Sequence, residues 1–577
     1  PRLRTTIAEE LPIPDTEVAV FFPHTLGERT TQWERGSDPM TQFTFTDAYD
    51  DYGMARSRTT ISVPRGSAAA PHNRHLATHT ITSYAQRDDQ ECYLVDRVAK
   101  TSSYDFSAQV AIPVTEWHTQ ITAGTFDQPT TLIGQTLHFY DGDAFTGLPI
   151  GQLGQHGALV RTESLVLTET TLTNVYAKEG TVQLPQPHPY WTVDQQIAWY
   201  ADYPESFKTA AQSDPTRPEL AITPLGYGFH TGNDSGVMRG YFSATERRCY
   251  DFQQQTGTAR GLVTTTLDPL SHRMTLRYDP YQLLPTHVTD AAGLTTQADY
   301  DYRLLQPRGV IDLNGNRTDF QFSPLGLPRM KFVRGKDGKP EGDGERASLE
   351  FSYDFAQLPI SVHSTRYVHH DTEPGPSTVQ RDDKIETREY SDGFGRLLQT
   401  RTQAEAVLFG DPLYGDSGLP AHQDQNDSAI GTTAAPNEPN VVVSGWQRYD
   451  NKGQVVEKFE PFFWKGWAYE APVPTLFERL QRITMSYDPR GHVIRTVNPD
   501  GSEQRVIYGV PGRIDDPDPA TPNVIAPTPW ESYTYDPNDL SVAEHLHTPN
   551  SLELDGLGRT VLTVERNGLN QSTDWYS

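Results

Sequence analysis

The chain has 577 residues and a formal net charge of −27, from 48 basic and 75 acidic side chains. That balance repels phosphate backbones and anionic lipid, and no local basic patch offsets it, which argues against nucleic acid as a partner. Two cysteines, Cys92 and Cys249, rule out a disulfide scaffold and a cysteine-based zinc site, and no run of 18 apolar residues is present to span a membrane. Aromatic residues at 10% disfavour disorder, while 44 Gly, 44 Pro and 28 Tyr point to an all-β, turn-rich chain.

In chain order, residues 18–22 and 43–46 are predicted strands, the second with strict alternation. Tyr49-Asp50 and Gly53 then turn the chain into a third strand over 56–63. Strand-like runs follow at 79–84, 92–95 and 109–112. Residues 137–154 are turn-rich at their centre, and 159–167 are strand-like again. Residues 191–220 are predicted as loop with a little helix, Asp194 capping 195–200. A second short helix is predicted at 475–481.

From about residue 240 the chain repeats itself. Tyr278-Asp279 and Tyr300-Asp301 lie 22 residues apart, and Phe322 lies another 22 residues on. A period of this size marks a repeat architecture. Further units open at Tyr250, Tyr353, Tyr390, Tyr449, Tyr487, Tyr508, Tyr535 and Leu554, and Tyr576 falls where another is due. Long intervals at 335–344 and 410–439 have loop composition. Each unit offers two short apolar runs separated by Gly-containing turns, which is hairpin chemistry. Gly393, Gly395, Gly453 and Gly491 stand where such turns call for positive φ. One hairpin cannot bury its face alone, so successive hairpins are expected to pair edge to edge into a long twisted sheet. The recurring aromatic is expected to stack from unit to unit. This divides the chain into an irregular β-rich region, 1–240, and a repeat region, 241–577. With no initiator Met or signal-peptide pattern at Pro1 and a repeat just opening at Tyr576, the chain is expected to be a piece of a longer one.

Ser391-Asp392-Gly393-Phe394-Gly395-Arg396, Tyr487-Asp488-Pro489-Arg490-Gly491 and Leu554-Asp555-Gly556-Leu557-Gly558-Arg559 resemble the YD repeats of RHS proteins. Together with residues 139–149, 159–163, 441–446 and 460–463, they resemble the B component (TcB) of bacterial insecticidal toxin complexes over most of the chain. The resemblance implies a curved or spiralling sheet of YD-repeat hairpins forming part of a hollow shell. In that family the B and C components form a cocoon that holds the C component's toxic segment unfolded. A pore-forming A component receives the segment through the B component's propeller. The SpvB-like domain and propeller repeats of the family are not in this sequence. The family's self-cleaving aspartyl site belongs to the C component; Asp488 to Gly491 lacks its paired second copy and is assigned to a turn.

Other motifs read as structure. Gly415-Asp416-Ser417-Gly418 resembles a serine-protease nucleophile segment, but Leu419 and Pro420 follow it and no matching His segment exists. Asp312 to Asn316 lacks the spaced carboxylates of a calcium loop and sits at a repeat turn. His369, His370 and Asp371 are metal-ligand types, but neighbours on a strand point to opposite faces. Gly226 with Gly228, and Gly335 with Lys336, lack phosphate-loop spacing. The expectation is a non-enzymatic, secreted shell component with no catalytic, cofactor or metal site. Its expected partners are the C component with its enclosed segment and, through regions not in this sequence, the A component. The rival readings are a carbohydrate- or cell-surface-binding YD-repeat protein using Trp464 and Trp467, and a hydrolase using Ser417.

Overall fold

A computed structural model describes residues 2–12, 21–33, 37–64, 75–107, 112–127, 129–168, 227–230, 232, 236–254, 259–336, 339, 341–373, 383–404, 439–469, 480–515, 525–542, 545–568 and 571–576. These are almost entirely β, and the chain divides into two compact units. The first comprises Pro1–Thr295, Pro527–Trp530 and Glu553–Val561; the second comprises Thr296–Ala526, Glu531–Leu552 and Leu562–Ser577. The expected all-β chain of antiparallel hairpins is present. The boundary at residue 240, drawn on repeat regularity, falls inside the first unit.

In the first unit each strand pairs antiparallel with its successor. The run is Arg2–Pro12, Phe21–Gln32, Met40–Tyr49, Ala55–Val63, Leu76–Asp88, Tyr93–Asp105, Thr131–Tyr140 and Leu159–Thr168. Leu159–Thr168 then pairs with Gly240–Tyr250, whose other edge is shared by Tyr227–His230 and Val263–Leu267. Arg273–Tyr278 and Pro285–Thr289 continue the order. Alternation in Met40–Tyr49 sets Phe43 and Phe45 on one face, their rings stacked with centroids 6.3 Å apart.

On that face lies a helix, Val114–Thr122, which the sequence pattern did not predict. Pro113 precedes it, and Trp117 and Ile121, one turn apart, point down onto Ile61 and Ala77. Trp117 is fully buried. The signal was one i, i+4 apolar pair in a nine-residue helix, too short to show a period. The first unit also contains the late turn at Asp555. Gln42 Nε2 donates to the Gly556 carbonyl at 2.7 Å, and a Cβ at 556 would stand 2.7 Å from Ser62 Cβ, so only glycine fits there.

In the second unit the hairpin order runs through Gln306–Ile311, Asn316–Phe322, Pro328–Lys336, Leu349–Asp354, Ile360–Tyr367, Lys384–Ser391 and Leu397–Gln403. Asn440–Ser444 and Phe462–Lys465 follow. A second run contains Gln447–Tyr449, Val455–Phe459, Arg482–Tyr487, Val493–Val497, Glu503–Tyr508 and Glu531–Tyr535. Val441, Val443, Trp446 and Phe459 are buried. Trp446 packs on Phe459 with ring centroids 4.8 Å apart.

Two predicted unit starts differ. Tyr508 opens no hairpin turn: Gly509 leads into Val510–Pro511, which pairs with Ile525–Ala526, and Tyr508 itself pairs with Ser532. Tyr535-Asp536 is followed by a short helix, Pro537–Ser541, because the Asp536 carboxylate caps the amides of Asn538 and Asp539. The predicted strand at 18–22 is described from Phe21 onward. The predicted helices at 195–200 and 475–481 and the loop at 410–439 lie wholly or almost wholly outside the described residues. Replacing Trp117 with alanine should lower stability by about 3–5 kcal/mol, the range for a fully buried aromatic. Urea unfolding followed by far-UV circular dichroism measures it, and a loss under 1 kcal/mol would contradict the packing described.

Candidate functional site

The repeated feature with defined chemistry is the turn that joins the strands. At Asp50, Asp290, Asp312, Asp392, Asp450, Asp488 and Asp555 a five-residue turn closes with the same pair of backbone hydrogen bonds. In the Asp450 turn the Asp450 amide donates to Gln454 O at 2.9 Å and the Gly453 amide to Asp450 O at 3.1 Å. One carboxylate oxygen, Oδ1, accepts from the amides of Lys452 and Gln454, both at 2.8 Å. The aspartate therefore satisfies the amides that the tight turn withdraws from the sheet ladder. Glycine three residues on supplies positive φ, 77° at Gly395, 80° at Gly453 and 95° at Gly491. Gly393, two residues before Gly395, is not among the positive-φ residues. In the Asp312 turn the Asn316 side chain and amide hold the carboxyl below its usual range.

The tyrosine before the turn ties one hairpin to the last. Tyr49, Tyr84, Tyr140, Tyr250 and Tyr278 donate their phenol O–H to the carbonyls of Thr25, Ala55, Val98, Leu159 and Val263 at 2.8–3.0 Å. Ala55, Val98, Leu159 and Val263 are the residues paired directly across from Tyr49, Tyr84, Tyr140 and Tyr250. Each tyrosine thus bonds the carbonyl opposite the tyrosine before it. In the second unit Tyr487 does the same to Val455, opposite Tyr449, at 2.7 Å, while Tyr353 bonds Pro328, opposite Phe322, at 2.8 Å and Tyr449 bonds Leu397, opposite Ser391, at 3.1 Å. The pairing slips by one residue at Tyr84, Tyr140, Tyr250, Tyr278, Tyr449 and Tyr487. Such a bulge interrupts the ladder, and the phenol supplies a donor there.

This corrects the expected ring-on-ring stacking. Successive hairpins lie two strand spacings apart, about 10 Å, whereas ring pairs need centroids at about 4.5–7 Å. The tyrosine crosses one strand spacing, about 5 Å, to the adjacent strand of the preceding hairpin, where its hydroxyl reaches the backbone.

The sequence-selected motifs divide plainly. Ser417 and its flanking residues, and Gly226, lie outside the described residues. Asp312 to Asn316 is the turn just described. Gly335 and Lys336 end the strand Pro328–Lys336. His369, His370 and Asp371 are not on a strand, contrary to the expectation, because Asp371 closes a turn by accepting the amides of Glu345 and Arg346 at 2.8 and 3.1 Å. His370 Nδ1 lies 2.6 Å from the buried Asp343, which also accepts from the amides of Val333 and Ser348. Trp464 and Trp467 are half-buried; the Trp467 carbonyl accepts from Tyr390, and its ring lies 5.4 Å from His363. Among the described residues no group of three His, Cys, Asp or Glu is arranged to hold a metal ion. A polar cleft of about 370 Å³ is lined by Ser502, Glu503, Arg505, Ser541 and His547. Its carboxylate is clamped by Arg495 and Arg505, which bring Glu503 down to about 2 against its burial, far from a proton-carrying range.

One buried charge cluster went unrecognised in the sequence. Arg161 and Glu163, on the strand Leu159–Thr168, are 6% and 2% exposed, with Arg161 Nη1 3.2 Å from Glu163 Oε1. His230 Nε2 sits 2.6 Å from Glu163 Oε2, and the Arg161 guanidinium lies over the Phe139 ring at 4.0 Å. Burial pushes the Glu163 carboxyl up, but His230, Arg161 and Arg247 together bring it below its usual value. Charged residues alternating along a strand read as a solvent face, and only the neighbouring strands reveal burial.

Tyr487→Phe should cost about 1 kcal/mol, the net value of one hydrogen bond, with the ring retained; no loss in a urea titration would refute the link. Burial raises the phenol pKa of Tyr84, Tyr140, Tyr278 and Tyr487 above its ordinary value of 10.0, with the preceding turn's Asp50, Asp251 and Asp450 adding to it at Tyr84, Tyr278 and Tyr487. A group with a raised folded value stabilises fully below its unfolded value, so stability should fall as pH climbs past 10. Flat stability from pH 9 to 11 would contradict this. Glu163→Ala leaves Arg161 buried without its carboxylate and should cost about 3–5 kcal/mol. Because the folded value is depressed, the contribution of Glu163 is present above pH 4.5 and lost on acidification. Unfolding at pH 7 and pH 3 tests both statements.

No protein-family model and no curated protein sequence matches the chain. Solved structures do. A crystal structure of TcdB2-TccC3 matches over 99% of this chain and 27% of its own, at 18% identity and a TM-score of 0.69. The same complex without its hypervariable C-terminal region matches over 99% and 29%, at 16% identity and 0.68. A Tc holotoxin pore of Photorhabdus luminescens matches over 99% and 29%, at 17% identity and 0.69. The chain therefore spans under a third of the length of these structures, and along its whole length it has their fold.

Proposed function

We propose that the chain is a wall segment of a toxin-complex shell that encloses a toxic polypeptide and shields it before translocation. The observation that carries this is the shared fold over 99% of the chain with TcdB2-TccC3. The hydrogen-bond ladder supports it, since a wall needs neighbouring hairpins locked in register rather than a catalytic cleft. In this reading 1–240 and 241–577 are the irregular and regular parts of one wall. The C component and its enclosed segment are the direct partners, the pore-forming A component is reached through other regions, and the complex acts outside the producing cell. The wall is assigned no catalytic role. The surface-binding alternative is weakened, because Trp464 and Trp467 are half-buried and their rings pack beside Phe462 and His363.

Small-angle scattering of the dilute chain tests the wall. A compact globule of this length has a radius of gyration of about 25 Å. A curved wall should exceed that clearly and give the pair-distance distribution of a shell. A compact globule or a straight rod would overturn the proposal.

A further inference from the structure

The sheet of the first unit carries a cleft on the face that the helix covers. Period-two alternation puts Arg29 and Thr31 on one face of the strand Phe21–Gln32, and Thr41 and Phe43 on one face of Met40–Tyr49. Antiparallel register brings these faces together: Arg29 lies across from Phe43, and Thr31, Thr41 and Val63 form the next row over three strands. Trp33, just past the first strand, and Val114, the first residue of the helix, complete the lining with Pro39. The cleft has a volume of about 370 Å³.

Its lining is mostly apolar and ring-bearing. Trp33 is 36% exposed, Phe43 is half-buried, and the Thr31 and Thr41 hydroxyls lie 3.4 Å apart. The one charged residue that lines it is Arg29, and no acid lines it. Arg29 is exposed, with neither an ion pair nor a side-chain hydrogen bond among the described residues. With 75 acidic side chains against 48 basic ones, carboxylate partners are plentiful in this chain, as Arg334 with Asp319 and Arg396 with Asp392 illustrate. Here a guanidinium stands beside an apolar cleft without one.

We infer that this cleft binds a small aromatic carboxylate. Charge complementarity selects the anion, because the planar fork of an arginine fits a carboxylate with two parallel hydrogen bonds. The indole of Trp33 and the phenyl ring of Phe43 select a flat apolar body. Spacing sets the order of the two groups. Arg29 and Trp33 are four residues apart on extended chain, about 13 Å, so an acid held at Arg29 lays its body along the Thr31–Thr41–Val63 row towards Trp33. Ligand pockets run from about 300 to 1,000 Å³, and a cleft at the low end limits that body to one or two rings. Neither the tyrosine ladder nor the shell reading requires this site, so each can fail without the other.

Isothermal titration of the whole chain with indole-3-acetate, and with its neutral isostere indole-3-acetamide, reads this directly. The acid should bind one site with a Kd of about 0.1–1 mM, as suits so small a ligand. The amide should bind about tenfold more weakly or worse, since it lacks the charge-assisted bonds. Arg29→Gln should erase the preference for the acid with an unchanged thermal melt, because the side chain is exposed. Trp33→Ala should weaken both ligands. Arg58→Gln, an exposed arginine on the other face of the strand Ala55–Val63, should change neither. No saturable heat up to about 5 mM, an amide that binds as tightly, an Arg29→Gln variant that still prefers the acid, or an equal effect of Arg58→Gln overturns the inference. So does a chain that dimerises with rising concentration and is dispersed by Trp33→Ala, since a second copy would then fill the cleft.

Discussion

The phenol hydroxyl of Tyr84, Tyr140, Tyr250, Tyr278 or Tyr487 and the backbone carbonyl opposite the preceding tyrosine form the contact on which the repeat order depends. Ordinary ladder bonds hold any two adjacent strands, but they leave register open to slippage by one residue wherever both faces are alike. A bulge recurring beside the tyrosine, with a phenol from the next hairpin bonded at it, permits one register only. Tyr84 to Ala55, Tyr140 to Val98 and Tyr250 to Leu159 repeat this across hairpins that otherwise share little sequence. Because each such bond joins only nearest neighbours, stability in this architecture accumulates link by link.

The aspartate turn explains part of the acidic composition. The Asp312, Asp392, Asp450, Asp488 and Asp555 carboxylates are used on backbone amides at the hairpin ends, where an anion is the best acceptor for donors released by a tight turn. A high count of acidic residues therefore does not in itself imply a cationic partner. It follows in part from building many turns with one device. Other acids are likewise committed within the fold, as at Glu503 between two arginines and Asp343 among the amides of Val333 and Ser348.

Where repeats are irregular, other interactions hold the strands. The first unit has a helix anchored by Trp117, a buried Arg161–Glu163–His230 cluster, and a turn seated in Ser62 and Gln42. These are long-range features. They join residues from 40 (Ala77 to Trp117) to over 500 positions apart, so local patterning carries no trace of them.

Sequence by itself determined the hairpin period, because Tyr-Asp, the turn glycine and alternating apolar runs are local and each unit folds against its neighbours. It placed Asp312 and Asp488 in turns correctly, and its resemblance to a toxin-complex component anticipated the fold that solved structures share. Tertiary structure alone decided what the tyrosines do. Whether a ring stacks or its hydroxyl reaches a carbonyl depends on the distance between hairpins, and no residue pattern encodes that distance. It also decided that His369 and His370 belong to a turn packed on Asp343, that Glu163 is buried, and that the Asp-Gly-apolar-Gly-Arg turn at Asp555 is seated while its twin at Asp392 is bare, with Phe394 88% exposed. The last contrast is between two nearly identical sequences, so only the surroundings distinguish them.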